Sequence, residues 1–136
     1  MKLIIAIDPG RDKCGLAVVD LQGDALELAL VTRANLAECL ARLLDKWQTK
    51  ATDISLIIGN GTQHKQVRQE LEAYNPDWKI TEVEEYGTTL AARELYWLKN
   101  KPSWWQRLIP ANWRDTPPLD AYAAWAIAKL HIMKTL

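Results

Sequence analysis

IIAIDPGRDKCGLAVVD, running from Ile4 to Asp20, decides how this 136-residue chain begins to fold. An apolar run closes on Asp8, Pro9-Gly10 breaks it, and a second apolar run opens at Cys14, the pattern of two strands joined by a turn. Asp8 is the residue that needs explaining. A carboxylate at the end of an apolar strand is costly unless something compensates its charge. Local backbone donors in the Asp-Pro-Gly turn would do so, and so would a cation.

Outward from that stretch, residues 2–8, 14–21 and 25–32 read as three short strands, with Gln22-Gly23-Asp24 as the second turn. Their spacing predicts consecutive antiparallel hairpins. From Asn35 to Trp47 the apolar residues Leu36, Leu40, Leu43, Leu44 and Trp47 recur at three and four, the period of an amphipathic helix. Ile54 to Ile58 is a continuous apolar run, as expected of a strand covered on both faces. After Gly59-Asn60-Gly61, the Thr62 hydroxyl is placed to cap a helix through about Tyr74. Trp78 to Val83 reads as a fifth strand, and Thr88 or Thr89 then caps a helix through Lys99. Residues 100–117 read as a loop, and Pro117-Pro118 open a last helix. Helical crossovers imply parallel pairing for the fourth and fifth strands. The expectation is one α/β domain over residues 1–136, a five-stranded mixed sheet with its first three strands antiparallel, flanked by helices.

Lysine plus arginine and aspartate plus glutamate both number 17, so no net field favours nucleic acid, a membrane or an acidic partner. Any such attraction must be local. Cys14 and Cys39 form neither a CxxC pair nor a disulfide framework, and buried free thiols in a reducing compartment fit them. One lysine is followed by only five apolar residues before Asp8, too few for a signal peptide, and no run approaches membrane length. A cytoplasmic protein with no membrane partner is expected.

Three carboxylates stand out by position. Asp8 closes the first strand, Glu85 follows the fifth, and Asp120 sits in the first turn of the last helix. If the first and fifth strands are neighbours and that helix packs beside the first, the three converge. Converging carboxylates repel one another unless cations hold them, and hard oxygen ligands suit Mg²⁺ or Mn²⁺. Each also has a plainer role. Asp120 complements a helix dipole, Glu85 belongs with Glu82 and Glu84 to a cluster typical of solvated strand ends, and Asp8 suits a turn.

The turn Gly59-Asn60-Gly61-Thr62 joins a strand to a helix start, where backbone N–H groups can cradle a phosphate; its plainer role is a tight connection. It lacks the lysine of a nucleotide-binding P-loop. His64, just beyond, reads as an exposed residue outside the site. No acidic residue lies between Glu94 and Asp115, while Lys99, Lys101, Arg107 and Arg114 are interleaved with Trp97, Trp104, Trp105 and Trp113. Cations there suit phosphates, and indoles stack on unpaired bases for about 1–3 kcal/mol each. The competing roles are core packing and a homodimer interface, with Trp104-Trp105 the pair most expected to leave one ring exposed. Arg11 and Lys13 would add charge beside Asp8, or serve simply as turn residues.

Four blocks, "IIAIDPGRDKCGLAVVD", "LIIGNGT", "VEEYGTTLAARE" and "PPLDAYAAWAIA", occur in an order that resembles the YqgF and RuvC branch of ribonuclease H-like nucleases. The resemblance spans nearly the whole chain and implies a ribonuclease H-like fold. It also implies Asp8, Glu85 and Asp120 as catalytic, metal-holding residues and divalent-metal-dependent cleavage of RNA or branched DNA. RuvC-type junction resolvases usually carry another acidic residue where Ala123 stands, which favours the YqgF type and, with it, ribosomal RNA precursor processing. Tyr86-Gly87 in place of an arginine, together with "IGNGT", is closer to the related domain of Tex-type transcription accessory proteins. Such domains also serve as scaffolds, so the rival reading is a non-catalytic module binding nucleic acid or protein through the tryptophan-rich segment. An actin-like kinase shares the acidic first strand but needs two such domains.

Overall fold

The structure, a computed structural model, describes residues 1–84, 88–99 and 120–135. Strands β1 (Lys2–Asp8), β2 (Lys13–Asp20) and β3 (Ala25–Thr32) form the two expected antiparallel hairpins. Asp20 builds the second turn: its Oδ1 accepts the N–H groups of Gln22 and Asp24, each at 3.0 Å. Gly23 takes φ = 90° there, a region in which a side chain would be strained.

β4 (Asp53–Gly59) pairs parallel with β1, and β5 (Ile80–Val83) pairs parallel with β4, as the crossovers imply. The sheet order is β3-β2-β1-β4-β5. The first and fifth strands are therefore not neighbours, contrary to one expectation. β2 occupies one edge of β1 and β4 takes the other, so β5, paired with β4, lies one strand further out.

The helices are α1 (Leu36–Gln48), α2 (His64–Tyr74), α3 (Thr88–Lys99) and α4 (Asp120–Thr135), with a short 3-10 turn at Arg33–Asn35 ahead of α1. Two boundaries differ from the sequence reading for local reasons. The chain turns through Gly61–Gln63, so α2 starts at His64 with Gln63 at its N-cap and no side-chain capping bond; Thr62 is not the cap. β5 starts at Ile80 because Trp78 is held in the preceding turn, its ring stacked on Tyr74 at 5.5 Å and its backbone N–H donating to the Asn75 carbonyl at 3.2 Å. Pro117, Pro118 and the expected 100–117 loop lie outside the described residues.

The sheet is covered on both faces. Leu3, Ile5 and Ile7 of β1 pack with Leu16, Val18, Leu40, Val67 and Leu71 under α1 and α2. Ile4 and Ala6 pack on the other side with Ala17, Val19, Ile57, Leu95 of α3, and Ala124, Trp125, Ile127 and Ala128 of α4. Ile57 and Ile58 point to opposite cores, which explains the unbroken apolar run of β4. Each leucine or isoleucine so buried contributes about 1.5–3 kcal/mol relative to exposure. Among the described residues no helix is long and apolar enough to cross a membrane.

Candidate functional site

β1 and β4 end together. Ile7 pairs with Ile58, so Asp8 and Gly59 emerge side by side at the carboxyl edge of the sheet. Strand alternation puts Asp8 on the face of Ile4 and Ala6, the α4 face, and puts Gly59 on the same face as Ile57. The half-buried Asp8 therefore has a neighbour without a side chain on β4.

The turn that follows Asp8 is tightly built. A Cβ on Gly10 would overlap the Lys13 carbonyl, so glycine is required there. The buried Cys14 thiol lies 3.9 Å from the Gly10 carbonyl oxygen, and burial pushes its pKa up. Cys39 is only partly buried, and burial likewise pushes it up. Arg11 and Lys13 are exposed on the turn, beside Asp8.

The glycine turn offers less than the sequence suggested. Asn60 N–H donates to the Val83 carbonyl at 3.0 Å, and His64 N–H donates to the Gly61 carbonyl at 3.1 Å, so neither amide is available to a ligand. The N–H groups of Gly61 and Thr62 have no acceptor among the described residues. A phosphate cradle here would use those two.

One expectation about a polar residue is corrected. His64 is not an exposed bystander: its side chain is 16% exposed, with Nδ1 2.7 Å from the Gly61 carbonyl oxygen and Nε2 3.0 Å from Glu82 Oε1. Glu82 and Glu84 are exposed, as a solvated strand end requires, and carry ion pairs there. Glu82 also lies 3.6 Å from Arg68, and Glu84 pairs with Lys134 at 2.9 Å, whose hydrogen bond holds its carboxyl below the usual range.

Sequence reasoning passed over Arg33 because its partners are remote in sequence. It meets Glu70 and Gln63, 37 and 30 residues away, and no periodicity marks such a contact.

Glu85, Lys101, Trp104, Trp105 and Arg107 lie outside the described residues. Asp120 is the first residue of α4 and Lys99 the last of α3, with their side chains outside the description. The structure thus brings together Asp8, Arg11, Lys13 and the Gly59–Thr62 turn. Among the described residues no three histidine, cysteine or acidic side chains form a metal-holding group. Of the expected ligands Asp8 has a described side chain, and its oxygen donors at a strand end suit a hard divalent ion.

No family model and no curated protein sequence matches the chain. Solved structures do match. Fowlpox virus resolvase, solved with Holliday junction DNA, aligns with a TM-score of 0.56 and 12% identity over 98% of this chain and 99% of its own. Thermus thermophilus RuvC aligns with a TM-score of 0.53 and 16% identity over 98% and 97%. A ROK family transcriptional regulator aligns at 0.46 and 11% over 70% of this chain, which spans only 31% of that protein, a likeness too slight to build on. The mixed five-stranded sheet with its flanking helices is the ribonuclease H-like fold.

Proposed function

We propose that this protein is a divalent-metal-dependent nuclease acting on branched or structured nucleic acid. The observation that carries the reading is the placing of Asp8. It stands at the carboxyl edge of β1, on the face covered by α4, in a fold aligned from end to end with two junction resolvases. In open α/β sheets ligands gather at that edge.

Asp8, Glu85 and Asp120 would hold Mg²⁺ or Mn²⁺, which when bound supplies an activated water and stabilises the leaving oxygen. The length of α4 is compatible with this. Ile132 lines the same hollow as Leu3, and the helix from Ile132 back to Asp120 spans about 18 Å, while β1 from Leu3 to Asp8 spans about 17 Å. A helix seated at one end of β1 has the reach to carry Asp120 to the other. Because β4 separates β1 from β5, Glu85 would approach across Gly59, where no side chain stands in the way. Arg11, Lys13 and the Gly61 and Thr62 amides would bind phosphates. Lys99, Lys101, Trp104, Trp105 and Arg107 would contact backbone and unpaired bases. A four-way DNA junction is the substrate class to test first, with structured ribosomal RNA precursor second.

The test is purified protein with Mn²⁺ on single-stranded, structured RNA and four-way junction substrates, beside Asp8→Asn. Junction or RNA cleavage is expected to fall by at least about 10³-fold in Asp8→Asn, since loss of a metal-holding carboxylate removes transition-state stabilisation. Equal cleavage by both proteins overturns the reading. Binding without cleavage favours the non-catalytic module.

A further inference from the structure

Arg33 follows the last residue of β3, close to the carboxyl edge of the sheet, and its side chain is 20% exposed. Its Nε and Nη2 donate to the two carboxylate oxygens of Glu70, at 3.0 and 2.9 Å. Nη1 donates to Gln63 Oε1 at 3.0 Å and more weakly to the Arg11 carbonyl at 3.5 Å. The backbone N–H of Arg33 donates to the Asp12 carbonyl at 2.8 Å. One residue therefore ties the turn after Asp8, the turn after Gly59 and helix α2 to each other.

The residue type matters. A guanidinium is a rigid fork that can grip a carboxylate with two donors while a third points elsewhere, whereas an ammonium acts as a point charge. Stability alone is a weak reason for the arrangement, because a surface ion pair contributes only about 0–1 kcal/mol. What the network does fix is the separation of the two turns. The Asp8 turn brings Arg11 and Lys13, and the glycine turn brings the amides of Gly61 and Thr62. Cleavage of a phosphodiester depends on placing such groups to within a fraction of an ångström.

We infer that Arg33 is a positioning residue that clips the Pro9–Asp12 turn to the Gly61–Gln63 turn, so that a phosphodiester meets one preformed edge. The inference rests on the nuclease reading above. Arg33 does not itself contact the substrate: its guanidinium faces Glu70 and Gln63, and it acts through the turns it holds.

The experiment uses the full chain as wild type, Arg33→Met, Arg33→Lys and the charge swap Arg33→Glu with Glu70→Arg. Steady-state junction cleavage, thermal unfolding and amide hydrogen exchange of residues 10–13 and 60–63 are measured for each. Arg33→Met is expected to raise KM about tenfold with kcat within about threefold, and to speed exchange in both turns. Arg33→Lys should fall between that variant and the wild type. The swap restores the ion pair to position 70 but supplies no donor to Gln63 or to the Arg11 carbonyl, so it should leave both losses in place. If exchange in both turns is unchanged in Arg33→Met, the clip does not exist and the inference is overturned. If KM rises while exchange is unchanged, Arg33 touches the substrate directly, which also overturns it. A wild type that neither cuts nor binds junctions sinks the nuclease reading, while the exchange data still decide whether the clip is real.

Discussion

Glu27 shows how a single side chain on an edge strand acquires a measurable role. Partial burial would raise its pKa, but hydrogen bonds from Lys46 Nζ and Trp47 Nε1, both at 2.9 Å, hold the carboxyl below its ordinary value. A carboxylate depressed on folding stabilises the native state above its unfolded pKa of about 4.3, and that contribution is lost as pH falls through the folded value. Glu27→Gln is therefore expected to lower stability by about 1 kcal/mol at pH 7 and to flatten the fall in stability below about pH 4.3. Urea unfolding across pH 3 to 7 reads both effects, and parallel curves for the two proteins would refute the assignment. Cys14 makes the opposite point. A buried thiol pushed up in pKa has little thiolate, so alkylation by iodoacetamide at pH 7.5 should proceed at least about tenfold faster after unfolding than before.

Among the elements, α4 is the one whose role its own sequence conceals. Its residues are apolar nearly all round, which suits a helix buried between partners but does not say which partners. The structure answers through Trp125, 5% exposed, whose Nε1 donates to the Gly23 carbonyl at 2.8 Å. Trp125→Phe keeps most of the packing and loses that bond, for an expected cost of about 1–2 kcal/mol. Trp125→Ala also opens a cavity, for about 3–5 kcal/mol. Chemical denaturation separates the two variants, and a Trp125→Phe protein as stable as the wild type would show that the hydrogen bond contributes nothing. The strands were legible in advance because alternation and turn residues are local signals, as in Asp20 to Asp24. The start of α2 was not, because Gly61–Gln63 choose a turn over a cap, and Trp78 left the fifth strand for a stacking partner on α2. Sheet order was only half legible: parallel pairing follows from crossover helices, but no local signal says that β4 inserts between β1 and β5.

At the scale of the whole molecule, equal numbers of acidic and basic residues leave no long-range pull toward nucleic acid, so the proposed junction binding would have to come from local contacts. Each phosphate neutralised steepens the fall of log affinity with log salt by about 0.9. The double change Arg11→Ala, Lys13→Ala is expected to weaken junction binding and to reduce that slope by about 1–2, measured by anisotropy at several KCl concentrations. An unchanged slope would place the phosphate contacts elsewhere on the chain. The place of Asp8 at the end of the first strand was legible from one short stretch, because charge closing an apolar run is conspicuous. The bracing by Arg33 and the engagement of His64 were not, because both depend on partners brought in by the fold.

The bond between Trp125 and Gly23 joins residues 102 apart in sequence. Contacts between distant residues close late, since the loop they complete costs entropy before it returns any stabilisation. The β1–β2 and β2–β3 hairpins need only their neighbours and can form early, leaving Ile4, Ala6, Ala17 and Val19 without their cover. The face that Asp8 shares with them is thus the last to be assembled. A half-made chain would carry Asp8 at its strand end with that face still uncovered.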